Sequence, residues 1–214
     1  MLLKILIFFL FFLAFSLNAS PIFWGPTAYT SEASIPQGFY SGQPVVLENF
    51  EDASLHPSIS ASNGYVVSGT SNIDSVDGDD GSVDGSGLTG KSWFYSAGST
   101  GVVFTFNTPE LPTSAGIVWT DGGGTTTFEA FGIGMVSLGK IGPVSIADGV
   151  YTGTTAEDRF FGVQYSAGIL AIKISNTSGG IEVDHLQYGS AVPEPNIFML
   201  LCMGIFFLFW LKKR

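Results

Sequence analysis

Cysteine is nearly missing from this 214-residue chain: the single one, Cys202, lies in an apolar run near the C-terminus. Residues 20–192 therefore hold no disulfide, no thiol nucleophile and no thiolate metal site, so any fold there rests on its packed core. Basic residues are almost as scarce. That stretch has only Lys91, Lys140, Arg159 and Lys173 against 17 acids, a net charge near −13. Such a surface repels phosphate backbones, which excludes nucleic acid as a partner. The two histidines, His56 and His185, are isolated and supply neither a Cys-His dyad nor a His-x-x-x-His metal pair. There is no Gly-x-Ser-x-Gly elbow and no phosphate loop; Gly122-Gly123-Gly124 lacks the lysine and reads as a turn. Helical periodicity is also absent over any window of about a dozen residues.

Two apolar segments flank this acidic stretch. In residues 1–19, Lys4 precedes an unbroken apolar run from Ile5 to Phe15, and the small residues Ser16, Ala19 and Ser20 follow. That is the pattern of a secretory signal peptide, with cleavage expected after Ala19; the run is shorter than the ~20 residues of a spanning helix. A retained signal anchor is the alternative. At the other end, Val192-Pro193-Glu194-Pro195 leads into an apolar run at 197–211 (IFMLLCMGIFFLFWL) and the basic cluster Lys212-Lys213-Arg214. As a helix, that run would extend ~22 Å against a ~30 Å hydrocarbon core, with snorkelling flanks closing the gap. The basic cluster would stay cytoplasmic, leaving the acidic stretch outside.

A Pro-Glu-Pro motif, an apolar helix and a basic cluster, in that order, resemble the PEP-CTERM sorting signal of Gram-negative bacteria that make exopolysaccharide. The resemblance implies export through the secretion translocon and transient anchoring by the helix. An exosortase, an integral-membrane cysteine protease, then removes the tail and passes the protein to the cell surface or the medium. Competing tails fit less well. A sortase signal needs Leu-Pro-x-Thr-Gly beside the helix, and the nearest relative, Leu111-Pro112-Thr113-Ser114-Ala115, lies far upstream. A glycolipid-anchor signal lacks the basic stop. An unprocessed membrane anchor remains the alternative.

Between the ends, short β-rich runs alternate with Gly, Asn, Asp, Ser and Pro. They are 44–50, 65–68, 93–96, 101–107, 116–121, 125–131, 135–138, 143–147, 160–165, 168–175 and 180–188. Val102, Phe104 and Phe106 alternate with Val103, Thr105 and Asn107, as do Leu170, Ile172 and Ile174 with Ala171, Lys173 and Ser175. This is the pattern of strands with one buried face. Hairpin turns are predicted at 121–124 and 177–180. With no crossover helices the class is all-β and antiparallel. The expected architecture is a two-sheet β-sandwich of jelly-roll type over 44–189, preceded by an irregular lead-in at 20–43 and followed by the sorting segment 190–214. The opening Val46-Leu47-Glu48-x-Phe50-Glu51 and closing Ile181-Glu182-Val183-Asp184-x-Leu186 resemble secreted jelly-roll domains found on PEP-CTERM proteins.

Chemistry concentrates between Asp74 and Gly87, where Asp77, Asp79, Asp80 and Asp84 are spaced by glycines. Hard oxygen donors on a pliant backbone are the ingredients of a structural Ca²⁺ loop. It is no EF-hand, since position 12 from Asp77 is Leu88 and no helices flank it. A solvated acidic loop is the alternative. A second Ca²⁺ candidate pairs Glu48, with Glu51, and Asp184 on the first and last strands; exposed strand carboxylates are the alternative there. Trp24, Trp93-Phe94-Tyr95 and Trp119 could stack on sugars, although core filling is the commoner use. Glu157-Asp158-Arg159 reads as a surface turn with a local salt bridge; a carboxylate pair in a glycoside-hydrolysing cleft is the alternative.

Three functions remain in play. The leading one is a non-catalytic surface or matrix protein associated with exopolysaccharide. The others are a lectin-like module and a secreted glycoside hydrolase, which needs two carboxylates ~5–10 Å apart.

Overall fold

The computed structural model describes residues 20–40, 42, 44–68 and 73–190. The expected signal peptide, the Pro-Glu-Pro motif, the helix at 197–211 and the basic cluster lie outside the described residues. Ten strands account for the regular structure: β1 (Ile22–Ala28), β2 (Val45–Glu48), β3 (Ile59–Ala61), β4 (Tyr65–Ser68), β5 (Lys91–Tyr95), β6 (Val102–Phe106), β7 (Ser114–Gly132), β8 (Val136–Val144), β9 (Arg159–Gln164) and β10 (Ala171–Gly189). The remaining elements among the described residues are four single 3₁₀ turns, of which Asp77–Asp80 and Thr155–Glu157 matter below. The class is all-β, and every pairing is antiparallel.

The spine is the β7–β10 ladder, two strands of 19 residues each. The first half of β7 pairs on its far side with β9, and its second half with β8. The free side of β10 meets β6, then β5, then β2. β1 extends β9, β4 extends β5 and β3 extends β6, so the strands form one hydrogen-bonded network.

Alternation serves well where it is regular. Val102, Phe104 and Phe106 on β6 are buried, with Val103 and Thr105 half-exposed between them. The main core joins these to Trp93, Trp119, Phe128, Phe161, Ile172 and Val183. A smaller core of Tyr29, Phe39, Val76, Val118 and Phe160 lies under the N-terminal segment.

Three expectations need correction. The lead-in at 20–43 contains β1, whose register slips between Trp24 and Thr27 around Gly25-Pro26; that irregularity hid the strand. The short β3 was also missed. The turns expected at 121–124 and 177–180 do not exist, because both segments run inside the long strands β7 and β10. The glycines there serve close approach instead. A Cβ on Gly122 would lie 1.8 Å from the Nδ2 of Asn176, whose amide takes the indole N–H of Trp119 at 2.9 Å and donates to the Gly180 carbonyl at 2.6 Å. The ladder register shifts at this point, between Asn176 and Ile181.

Candidate functional site

A second irregularity, between Asp184 and Gln187 on β10, builds the polar centre of the molecule. In a regular strand Asp184 and His185 would face opposite sides. Here His185 takes φ of +42°, and both side chains meet the 74–90 segment. A bulge re-aims side chains in this way. His185 Nε2 lies 2.7 Å from Asp79 Oδ1, and its Nδ1 lies 2.9 Å from the Tyr29 hydroxyl. Tyr29 also stacks on Phe160, and burial pushes its hydroxyl well above the usual phenol range. Asp184 accepts the Val76 N–H at 2.9 Å and the His185 N–H at 2.6 Å. Burial, then the neighbouring Asp79, raises its carboxyl above the ordinary value.

Asp79, Asp184 and His185 are the trio, among the described residues, whose ligand atoms all lie within 4.8 Å of one another. Most of those atoms are already committed to protein partners; Asp79 Oδ2 is a buried oxygen without one. The hollow above them is lined by Ser31, Glu32, Ala33, Gly78, Asp79 and His185. It holds about 170 Å³, below the roughly 300–1,000 Å³ of small-molecule sites.

The four loop carboxylates do not converge. Asp77 turns inward and accepts the N–H groups of Asp84, Gly85 and Ser86, which fixes the loop's own backbone. Asp80 accepts from the Ser82 N–H and the Thr89 hydroxyl. Asp84 is exposed. Only Asp79 reaches the centre. Glu48 sits on β2 opposite Leu186 of β10, but its carboxylate accepts the N–H groups of Phe50 and His56 and so pins the 50–56 loop, away from Asp184. Glu51 pairs with Lys91 at 3.5 Å.

The surface turn expected at Glu157-Asp158-Arg159 is corrected too. Glu157 and Asp158 are buried, at 2 % and 0 % exposure, and Arg159 donates to the carbonyls of Ala156 and Asp158 with no ion pair to Glu157. Trp119 and Trp93 fill the core. His185 and Tyr29 carried no signal in the sequence, because their partners lie 106 and 156 residues away along the chain.

Residues 191–214 match the family model of the PEP-CTERM protein-sorting motif. The chain carries a PEP-CTERM sorting signal. The signal marks an exported protein that is handed to a membrane-embedded exosortase and then reaches the surface or the medium. Among the described residues, which exclude the PEP-CTERM segment, no helix is long and apolar enough to cross a membrane. No curated protein matches the chain. Among solved structures it is similar to the catalytic domain of a GH87 alpha-1,3-glucanase in complex with tetrasaccharides, at 19 % identity and a TM-score of 0.40. That likeness covers 72 % of this chain and 30 % of the glucanase domain, so the chain spans less than a third of it.

Proposed function

We propose that this protein is a non-catalytic surface or matrix component whose β domain is delivered outside the cell and associates there with exopolysaccharide. The observation that carries the reading is the sorting signal at 191–214. The acidic exterior agrees with it, since exposed Glu32, Asp52, Asp80, Asp84, Glu110 and Asp148 face solvent with Lys140 as the exposed base among the described residues, which keeps an exported domain soluble. A non-catalytic role is supported by the state of the carboxylates: Asp74, Glu157, Asp158, Glu182 and Asp184 are buried, and Asp77 and Glu48 hold backbone. A two-layer jelly-roll arrangement fits the spine, because the halves of β7 and β10 on either side of the register shift pair with different strands.

The test is mass spectrometry of protein released from cells. The C-terminus is expected at or next to Val192-Pro193-Glu194-Pro195, with the apolar run and Lys212-Lys213-Arg214 gone. Mature surface protein that keeps the intact basic end would defeat the sorting.

Direct glycan recognition is a second reading, favoured by one observation. Tyr65 on β4 is 58 % exposed and stands edge-on to Phe94, with ring centroids 6.0 Å apart. An exposed ring held by a neighbour is a stacking platform for a sugar. If the domain binds purified exopolysaccharide, Tyr65→Ala is expected to weaken binding about tenfold, the ~1–1.5 kcal/mol of one aromatic contact. Unchanged binding would remove Tyr65 from the surface that meets the glycan.

A further inference from the structure

Behind the Asp79–His185 centre lies a second group of acids, assembled from five separate parts of the chain. Asp74 precedes the 77–80 turn, Asp121 lies on β7 and Glu182 on β10; Asp148 is in the loop after β8, and Glu157 and Asp158 lead into β9. Asp121 and Glu182 are register partners across the spine. The Asp74 N–H donates to Glu182 at 3.0 Å. The loop carrying Glu157 is tied to the 74–90 segment through the Ser86–Thr154 bridge and the Gly87 N–H to Gly153 carbonyl bond at 2.9 Å. Each of these acids feels its neighbours' charge: Asp74 that of Glu182, Asp121 and Asp148, and Asp158 that of Asp74 and Glu157.

Hydrogen bonding separates this group from an ordinary acidic patch. Both carboxylate oxygens of Asp74, Glu157 and Asp158 are buried and accept from no N–H or hydroxyl, Glu157 meeting only the carboxyl of Asp148, and the hydroxyl of Thr120, next to Asp121 in the chain, is also unpartnered. The residues are 1 %, 2 %, 0 % and 0 % exposed. Buried polar atoms in native proteins are otherwise almost always paired. Arg159 is the cation that acts on the group, and its guanidinium is engaged with two carbonyls. Asp148 is exposed, holds the Val150 N–H and provides the solvent-facing side.

We propose that Asp74, Asp121, Asp148, Glu157 and Asp158 form a structural Ca²⁺ site that clamps the 148–158 segment and the 74–90 segment onto the spine. Only oxygen donors are present, which selects a hard cation over zinc or copper. A site dense in carboxylates, with solvent on its Asp148 side, suits Ca²⁺, which takes 6–8 oxygens in flexible geometry; Mg²⁺ demands near-ideal octahedral geometry. No three of these acids bring ligand atoms within 4.8 Å of one another, so binding draws the carboxylates inward. The Asp79 trio is the weaker candidate, because all of its carboxylate oxygens and imidazole nitrogens except Asp79 Oδ2 already bond to protein.

The full chain, purified in detergent, is titrated with CaCl₂ at pH 7.5 after EDTA treatment, by calorimetry and by melting temperature. One Ca²⁺ per chain is expected, and a rise of about 5–10 °C at a hundredfold excess over Kd. Glu157→Gln with Asp158→Asn should abolish the rise while melting in EDTA at or above the wild type, because an amide is neutral in the buried cluster without having to hold a proton at pH 7.5. If that pair does not fold, Asp148→Asn, at an exposed position, should weaken Ca²⁺ binding at least tenfold. Asp79→Asn should leave the rise intact. The proposal is overturned by no heat and no shift in the wild type, by a shift that survives these neutralisations, or by one that Asp79→Asn removes.

Discussion

Replacing Gly122 with alanine is expected to lower the melting temperature by about 10 °C. The added methyl would lie 1.8 Å from Asn176 Nδ2 and 2.7 Å from its Cγ, so the amide must leave its place. Three bonds go with it, from the Trp119 indole and the Thr126 hydroxyl and to the Gly180 carbonyl. Trp119 is fully buried, so its N–H has no water to turn to. An orphaned buried donor costs about 1–3 kcal/mol, and overpacking adds about 1–3 kcal/mol. A loss of about 3–5 kcal/mol converts to about 10 °C for a domain of this size. The double variant Gly122→Ala, Asn176→Ala separates the two effects. Once the amide is absent, the methyl has room, and adding Gly122→Ala to Asn176→Ala should cost less than about 1 kcal/mol. Thermal melts of the four proteins measure this; an unchanged melting temperature for Gly122→Ala would show that the spine tolerates a side chain there.

With chelator present, the protein should melt about 10 °C lower at pH 8 than at pH 5. Burial comes first, and neighbouring acids second, in raising Asp74 to about 8, Glu157 to about 9 and Asp158 to about 10. Glu182 rises to about 7 for the same first reason, held back by the Ser92 hydroxyl and the Asp74 N–H. Because each folded value lies above the unfolded one, the folded state keeps protons that the unfolded chain releases near pH 4. Their contribution is complete below about pH 4 and is lost as pH rises through about 7 to 10. One net proton is worth about 1.4 kcal/mol per pH unit. Over three units even a single proton amounts to about 4 kcal/mol, or about 10 °C. Ca²⁺ should flatten or reverse the slope, since it competes with protons for the same oxygens. A melting temperature in EDTA that stays level from pH 5 to pH 8 would mean that these carboxyls are not held protonated by the fold.

Local signals were legible where a strand keeps strict alternation. β6 stands where the hydrophobic pattern put it, since a period of two with one buried face leaves a single register. The same signals misled at the glycines. Gly122-Gly123-Gly124 and Thr177–Gly180 have turn composition, yet they are the point where two long strands press together and shift register. Glycine permits both a turn and a close approach, and only the neighbouring chain decides between them. Asp77 shows the corresponding limit for chemistry. Its spacing from Asp79, Asp80 and Asp84 is that of ligands, but its carboxylate caps three N–H groups of its own loop.

The sequence by itself determined the destination of the protein and the class of its fold. A sorting tail is read as a linear string by other proteins, and strand alternation is a local periodicity, so neither depends on the folded neighbourhood. Tertiary structure alone decided which acids meet. Asp79 reaches His185, Tyr29 reaches the same ring from the other side, and Asp74 joins Glu157 and Asp158. A bulge on β10 and a register shift in the spine aim these side chains. Electrostatics and burial act through distances in space, and segments separated by more than 100 residues leave no trace of that proximity in their order along the chain.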